Sequence, residues 1–252
     1  MAEIELFSPA VRVDVGPYRL TSGVGLEVYS SRKTRRDWAQ VRLSDAYAGA
    51  VQITEDMPAV VRLGYGGALQ TVLSGKVASC SATELLVYDD TAKLDSVTVT
   101  DTYLDVTPQE LVGVVLRAAG VTEYEIDPTP YPPRSVVPVR CKTGTQVLQQ
   151  INKLWGISAE YRFLGGCFYW GTGPIQDNIY HFEYGKNILD LTCTGGVWTL
   201  QTVSVPFIRH SDKIAVTAPQ ISGIVTVQDV RYTLSQAGFV RSVLRFEGGD
   251  NI

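Results

Sequence analysis

Residues 103–121 read YLDVTPQELVGVVLRAAGV, and in this stretch the chain changes from strand-like to helical patterning. Thr107 is a helix N-cap, Pro108 takes the first helical position and Glu110 lies three residues after the cap, which together form a capping box. The residues with helical spacing form one apolar face, made of Leu111, Val114, Val115 and Ala118. Gly120 is suited to end the helix because glycine adopts the left-handed conformation at low cost. The stretch therefore predicts a helix that opens a new structural unit.

A second helix is predicted after the proline-rich stretch 127–138, which we interpret as a loop. Thr143 is the N-cap of this helix, and Gln146 completes a second capping box. The residues with helical spacing form one apolar stripe, made of Val147, Leu148, Ile151, Leu154 and Trp155. Gly156 is expected to end this helix for the same reason as Gly120.

A hairpin is predicted to follow the second helix. Residues 157–164 and 167–170 are rich in aromatic and β-branched side chains, and Gly165 and Gly166 separate them. Two glycines between two such runs are typical of a tight turn. We therefore expect residues 101–175 to form a small inserted α+β domain with the order helix, loop, helix, hairpin.

The chain on both sides of this domain is strand-like. Short runs rich in Val, Ile, Tyr and Thr alternate with Gly, Pro, Ser and Asp, which is typical of an antiparallel barrel or sandwich. The runs before the domain are 11–15, 24–29, 41–43, 60–63, 71–77, 85–88 and 97–100. The runs after it are 180–184, 188–193, 197–206, 213–217, 223–231 and 239–247, and Ala237 with Gly238 is expected to turn the last hairpin.

The two β halves also resemble each other. Residues 56–60 read DMPAV and residues 212–216 read DKIAV, while LSGKV at 73–77 matches ISGIV at 221–225. An additional hairpin at 64–67 would account for the different spacing of the two pairs. Chance similarity is the alternative. If the repeat is real, the fold class is mainly β, with two similar antiparallel β-barrels at 1–100 and 176–252 that form a ring or tube module.

Composition and charge exclude several function classes. Charged residues make up 19% of the 252 residues, below the usual ~25%, so disorder is excluded and contact with other proteins is favoured. The formal net charge of −4 argues against a free-standing nucleic-acid binder, which is normally basic. The only histidines are His181 and His210, which leaves little material for histidine-based metal or acid–base chemistry.

Motifs for catalysis are absent from the sequence. It contains no HExxH, GxSxG or GxGxxG pattern. His210, Ser211 and Asp212 are neighbours, but adjacent residues of a strand point to opposite faces and cannot form a relay. The aspartates at 89–90, 95, 101 and 105 lack the glycine and closing glutamate of a calcium loop. We therefore predict no catalytic residue, no cofactor, no bound metal and no enzymatic activity.

The cysteines and the N-terminus indicate the compartment in which the chain folds. The cysteines at 80, 141, 167 and 193 are widely spaced without a CxxC pair, so we interpret them as small buried side chains rather than zinc ligands or disulfides. The first residues have no basic segment followed by an apolar one, and no apolar run reaches ~18 residues. We therefore expect folding in a cytoplasm without membrane insertion.

Two segments are candidates for an interface because their composition is that of exposed loops at strand ends. The first is the basic run Arg32, Lys33, Arg35 and Arg36. It has two interpretations, contact with phosphate or salt bridges to a neighbouring subunit. The second is the glycine-rich loop with Tyr65, Gly66 and Gly67.

The order of these elements resembles the tail or baseplate hub proteins of contractile phage tails and related injection machines, namely the superfamily of phage late control D proteins and type VI secretion spike hubs. Three stretches carry the resemblance. Residues 56–90 contain an apolar–Ser–Gly–x–Val strand, followed by another strand that ends in aspartate. Residues 103–121 resemble the helix that opens the family's inserted α+β domain, and 184–189 resemble the return into the second barrel.

The resemblance implies a structural role. Two similar barrels per chain in a homotrimer give six similar positions around an axis, which lets a ring join a six-fold tail tube to a three-fold spike. The implied partners are further copies of the chain, the tail tube protein, a spike or tip protein and other baseplate proteins. A tape-measure protein or DNA would pass through the lumen. The implied location is the virion tail or baseplate, assembled in the host bacterial cytoplasm, and no family active site is implied.

Two alternatives remain open at the level of sequence. One is another structural tail component, such as a distal tail protein or tube initiator. The other is a tail-borne module that binds or cleaves cell-wall glycan, with Trp155, Trp170 and Trp198 as side chains that could stack on sugars. Aromatic residues at these positions are equally suited to a core or an interface.

Overall fold

The computed structural model describes residues 8–33, 36–47, 49–235 and 240–248. The chain is mainly β with an inserted α+β unit, as the sequence predicted. The elements before the insertion are β1 (Pro9–Val15), β2 (Tyr18–Leu20), β3 (Val24–Ser31), β4 (Trp38–Leu43), the 3₁₀ helix Asp45–Tyr47, β5 (Pro58–Tyr65), β6 (Ala68–Cys80) and β7 (Glu84–Asp89). The insertion contains α1 (Thr91–Ser96), β8 (Thr98–Val106), α2 (Pro108–Ala118), β9 (Tyr124–Ile126), β10 (Arg134–Thr143), α3 (Gly144–Trp155), β11 (Tyr161–Leu164) and β12 (Cys167–Trp170). The strands after it are β13 (Tyr180–Glu183), β14 (Ile188–Thr194), β15 (Val197–Val203), β16 (Lys213–Ala218), β17 (Ile221–Thr226), β18 (Asp229–Leu234) and β19 (Val240–Glu247).

The chain forms two compact units. One is Asp90–Ile175, and the other combines the chain before and after it. The insertion thus begins at Asp90, ahead of the sequence-based boundary at 101. The reason is that Leu94 of α1 and Val99 of β8 are buried in the core of the insertion rather than in the β unit.

Eleven strands of the β unit form one antiparallel sheet in the order β14-β15-β19-β18-β3-β4-β7-β6-β5-β1-β2. The pairing of β18 with β3 joins strands from the two sides of the insertion. Among the described strands, the two ends of this order, β14 and β2, are not bonded to each other. The division into barrel domains at 1–100 and 176–252 stays a prediction, and both ranges contribute strands to one sheet and side chains to one core.

Strand alternation builds this core. In β3, Val24, Leu26 and Val28 are buried, and Glu27 and Tyr29 lie on the opposite face of the sheet. Successive side chains of a strand point to opposite faces, so the sequence pattern fixes which face is buried. Each such Val or Leu contributes about 1.5–3 kcal/mol relative to exposure.

A second sheet in the β unit has the order β13-β16-β17. The predicted single strand 223–231 is wrong, because β17 ends at Thr226 and β18 begins at Asp229. The two sequence repeats both lie in antiparallel pairs, β5 with β6 and β16 with β17. Their registers differ by one residue, because Ala59 pairs with Gly75 whereas Ala215 pairs with Ile224. The predicted turn at 237–238 lies outside the described residues.

The two predicted helices of the insertion are confirmed. In α2, the Thr107 side chain accepts a hydrogen bond from the backbone of Glu110, and the Glu110 side chain accepts one from the backbone of Thr107. Thr143 and Gln146 form the same reciprocal pair at α3. The apolar faces of both helices enter the core of the insertion with the hairpin β11–β12, whose Phe168 and Trp170 are fully buried.

The interpretation of 127–138 as a loop is wrong in its last part. Residues from Arg134 onward belong to β10, which pairs antiparallel with β8. Pro138 lies opposite Thr102 in this ladder. The sequence pattern missed the strand because proline cannot donate to a ladder, and it is tolerated here because the β8–β10 sheet has only two strands and both are edges.

Candidate functional site

The basic candidate segment forms the loop between β3 and β4. Arg32 and Lys33 are exposed, Arg36 is half-buried and Arg35 lies outside the described residues. Lys33 Nζ forms an ion pair with Glu247 Oε1 at 2.9 Å. The Arg36 guanidinium lies 4.9 Å above the ring centre of Tyr88, close enough for a cation–π contact.

Buried polar side chains anchor this loop to the sheet. The Asp37 carboxylate accepts hydrogen bonds from Ser30 Oγ at 2.5 Å and from the Ser31 backbone N–H at 3.0 Å. Ser31 Oγ in turn donates to Asp229, its cross-strand neighbour on β18. Arg245 Nη1 lies 3.6 Å from the other oxygen of Asp229. The base of the loop is therefore held by hydrogen bonds that only this arrangement of β3, β4 and β18 allows.

The environment of Asp37 raises the pKa of its carboxyl group. Burial raises the pKa of Asp37 to about 6, and the charge of Asp229 raises it further, against the opposing effect of the hydrogen bonds from Ser30 and Ser31. A carboxylate out of contact with water is costly unless its oxygens are well bonded. Asp37 thus changes its charge under mildly acidic conditions.

The second candidate segment is the turn between β5 and β6. Gly66 and Gly67 are exposed with φ of 55° and 86°, which suits the two central positions of a type I′ hairpin turn. Tyr65 is half-buried, and its hydroxyl donates a hydrogen bond to the backbone oxygen of Ser204 at 2.8 Å. Burial raises the pKa of the Tyr65 phenol, and the charge of Arg241 opposes this rise.

The structure does not bring the two candidate segments together. Lys33 contacts Glu247 at the end of β19, whereas Tyr65 lies within electrostatic reach of Arg241 near the start of that strand. At ~3.3 Å per residue, these two positions of β19 are roughly 20 Å apart. The segments are therefore separate surfaces, and their role at an interface stays a prediction.

A charged cluster that the sequence analysis missed lies on the face of the sheet opposite the core. Asp14 accepts hydrogen bonds from Arg12 Nε at 2.8 Å and from Arg19 Nε at 2.9 Å, and it also forms an ion pair with Arg62. Although burial raises it, the bonds from Arg12 and Arg19 hold the pKa of Asp14 below its ordinary value. The alternation Arg12-x-Asp14 was the available signal, and the partners on β2 and β5 depend on register.

The residues considered above for catalysis, His210, Ser211 and Asp212, take part in local hydrogen bonds. His210 is buried with Nδ1 at 3.1 Å from Ser211 Oγ, while Asp212 accepts a hydrogen bond from the backbone of Arg209 at 2.8 Å. No group of three or more His, Cys, Asp or Glu in the described part of the chain could hold a metal ion. None of the helices within the described ranges has the length and hydropathy to cross a membrane.

Two cysteines differ from what the sequence suggested, whereas the tryptophans fit the interpretation as core residues. Cys141 and Cys193 are exposed, so the expected burial is wrong for them, because both lie on strands with only one neighbour. Trp170 is fully buried and cannot stack on a sugar. Trp155 Nε1 donates to the Pro132 backbone oxygen at 2.9 Å, and Trp198 packs partly against the core of the β unit.

Comparison with solved structures identifies the fold. The 43 kDa tail protein of prophage MuSo2 from Shewanella oneidensis matches with a TM-score of 0.74 and 10% identity, over 95% of this chain and 97% of that one. The tail protein from Neisseria meningitidis MC58 matches with a TM-score of 0.73 and 11% identity, over 96% and 97%. The E. coli c3393 protein, a type VI secretion component described as similar to T4 tail proteins gp27 and gp5, gives 0.65 and 14%, over 95% and 77%. No protein-family model and no curated protein matches by sequence. The chain therefore has the fold shared by phage tail proteins and type VI secretion spike components, as its element order suggested.

Proposed function

We propose that this chain is a structural tail or baseplate hub, a ring-forming adaptor that joins the tail tube to the central spike or tip of a phage tail or related contractile injection machine. One observation carries the proposal: nearly the whole chain superposes on nearly the whole of two tail proteins, one of them from a prophage. A match over full length in both directions favours the same kind of building block rather than a shared small module. The fold likeness to a type VI secretion component supports the wider class.

The proposed assembly is a homotrimer located in the tail or baseplate of a virion. In a ring the two β halves of each chain would give six similar positions, which suits a junction between six-fold and three-fold parts. Its partners would be the tube protein, a spike or tip protein and other baseplate proteins, with a tape-measure protein or DNA in the lumen. The exposed Arg32 and Lys33, the half-buried Arg36 and the turn at 65–67 are candidate contacts with these partners.

A non-enzymatic role is part of the proposal. The buried carboxylate pair Asp37 and Asp229 is occupied by hydrogen bonds from Ser30 and Ser31, which suits an anchor for a loop. Trp170 is enclosed in a core rather than displayed in a cleft. These features favour a structural part over a glycan-cleaving module.

The mass of the purified protein in solution tests this proposal. Light scattering over a range of concentrations is expected to give three times 27.6 kDa, and electron microscopy of that species is expected to show rings. A hexamer would favour the tube initiator or distal tail protein instead. A monomer at every concentration, together with peptidoglycan hydrolysis by the purified chain, would overturn the hub.

A further inference from the structure

The ends of the two sheets in the β unit differ in how their edge strands are protected. A sheet edge presents unpaired backbone N–H and C=O groups, and proteins normally protect it with short strands, charges, proline or a covering side chain. The eleven-stranded sheet ends at β14 and β2, and the second sheet ends at β13 and β17. Two of these four edges are protected and two are open.

The edges at β2 and β13 are protected. β2 has only three residues, carries the charge of Arg19 and has Gln52 beside it, whose backbone N–H donates to the Tyr18 hydroxyl at 3.1 Å. At β13 the side chain of Asn187 bonds two backbone groups, donating to the oxygen of His181 at 2.9 Å and accepting from the N–H of Glu183 at 2.8 Å. The Asn187 amide thus takes the place of a neighbouring strand.

The edge at β14 is open. Its seven residues pair with β15, and apart from a bridge between its first residue, Ile188, and Tyr184, no other described segment pairs with it. The strand contains no Lys, Arg or Pro and has a single charge, Asp190. Leu189 on this strand is 53% exposed.

The edge at β17 has the same character. Among the described residues, its six residues pair only with β16, they carry no charge and no proline, and Ile224 is 47% exposed. Gly223 in the middle of the strand has no side chain, and nothing lies within 4 Å of the position that a Cβ would take. Glycine at such a place leaves room for another backbone to approach closely.

We propose that β14 of one copy of this chain pairs with β17 of the next copy, so that the two open edges bond to each other around a ring. The inference rests on the proposed ring-forming function and names the surfaces that form the ring. A second copy is the occupant because one chain presents two open edges of nearly equal length, both almost without charge and each with one exposed aliphatic side chain. Two different surfaces on one chain make a head-to-tail contact, and such a contact gives a ring where the rotation between successive copies closes.

Cysteine cross-linking tests the pairing. In a background with Cys141→Ser and Cys193→Ser, Thr192→Cys on β14 is combined in turn with Ser222→Cys, Ile224→Cys or Thr226→Cys on β17. Paired strands lie ~4.8 Å apart, within disulfide reach, but only directly opposite positions qualify. Under mild oxidation, one of the three combinations is expected to cross-link at least ten-fold faster than the others, and to give covalent trimers on non-reducing gels.

Two controls make the result specific. Thr192→Cys alone detects β14 bonded to β14 of a partner, and a covalent dimer from this variant would overturn the proposal in favour of a two-fold pair. Thr192→Cys with Leu104→Cys pairs β14 with an equally exposed position of the insertion, 69% exposed, and is expected to cross-link only slowly.

Light scattering of the same samples separates this proposal from the hub itself. A trimer whose three β14–β17 combinations cross-link no faster than the Leu104 control would overturn the pairing and leave the hub standing. A sample that is monomeric at all concentrations and forms no covalent trimer would overturn the pairing, and peptidoglycan hydrolysis by the same monomeric chain would overturn the hub as well.

Discussion

At the scale of single residues, Asp37 shows how one buried group can control a surface segment. The loop between β3 and β4 carries Arg32, Lys33 and Arg36, and its last residue is the buried Asp37. The hydroxyls of Ser30 and Ser31 and the backbone N–H of Ser31 donate hydrogen bonds to the carboxylates of Asp37 and the nearby Asp229. The two carboxylates nevertheless lie close together away from water. Burial raises the pKa of Asp37 by more than the hydrogen bonds from Ser30 and Ser31 lower it.

Protein stability is expected to fall as pH rises from about 4 to 6. The pKa of Asp37 is about 6 in the folded chain and lies near 3.8 without the fold, so the folded state holds the proton more tightly. Its contribution is fully present below the unfolded pKa and is lost as pH rises through 6, a change on the order of 2–3 kcal/mol. Urea unfolding at several pH values measures it.

The substitution Asp37→Asn is expected to remove most of this dependence between pH 4 and 6. Asp190→Asn, on an exposed strand, is the matched control and should leave the slope as in the parent. An unchanged slope in Asp37→Asn would show that Asp37 is not the titrating group.

At the scale of elements, helix caps and glycines determine local structure. Both helices of the insertion that the sequence predicted begin with a reciprocal capping box. Gly75 of β6 has a different role, because a Cβ there would collide with the backbone oxygen of Tyr88 on β7. Gly113 in α2 has open space around it.

Loss of the cap is expected to destabilise the insertion. Thr107→Ala removes the side-chain oxygen that accepts from the Glu110 backbone and should lower the free energy of unfolding by about 1 kcal/mol. Thr102→Ala, an exposed threonine on β8, is the control, and chemical denaturation followed by tryptophan fluorescence is the measurement. Equal effects of the two substitutions would contradict a specific role of the cap.

Replacing Gly75 or Gly113 by alanine is expected to change protein stability in opposite directions. Gly75→Ala should cost at least about 2 kcal/mol, because backbone on β7 must move to admit the methyl group. Gly113→Ala should raise stability by about 0.5–1 kcal/mol, because alanine is the better helix former and the space is free. The midpoints of thermal unfolding report both, and a stable Gly75→Ala variant would refute close approach of β6 and β7.

At the scale of the whole molecule, the insertion has a core of its own. Its buried side chains come from α1, α2, α3, β8, β10 and the β11–β12 hairpin, and they include Leu148, Phe168 and Trp170. The β unit is built differently, because its main sheet needs strands from both sides of the insertion. The two units therefore differ in how far they depend on distant parts of the chain.

The segment Asp90–Ile175 expressed alone is therefore expected to fold. Near-ultraviolet circular dichroism and cooperative unfolding would show a buried Trp170, and Leu148→Ala in the same segment should lose about 2–5 kcal/mol. The β half that precedes the insertion, expressed alone, is expected not to unfold cooperatively, because β3 would lack β18. Cooperative unfolding of that half alone would contradict the inference that it depends on the strands after the insertion.

Local patterns determined the two longer helices, most strands and the order of β, α+β and β parts, whereas the short helix Thr91–Ser96 was missed. Helix caps, turn glycines and strand alternation depend on only a few neighbouring residues. Thr107, Thr143 and Gly156 therefore predict helix starts and ends without knowledge of the rest of the fold. The strand at 134–143 was missed because Pro138 argues against a strand unless its position at a sheet edge is known. The absence of catalytic motifs also follows from the sequence alone.

Only the tertiary structure decided which residues meet across long distances. Strand order and register determine the pairing of β18 with β3, the cluster of three arginines around Asp14 and the hydrogen bond from Ser31 to Asp229. A shift of one residue in register would turn every side chain of a strand to the other face. No local pattern contains that information, because long-range pairing is set by the sum of many packed contacts. The open edges of β14 and β17 are visible for the same reason only once the sheets are formed.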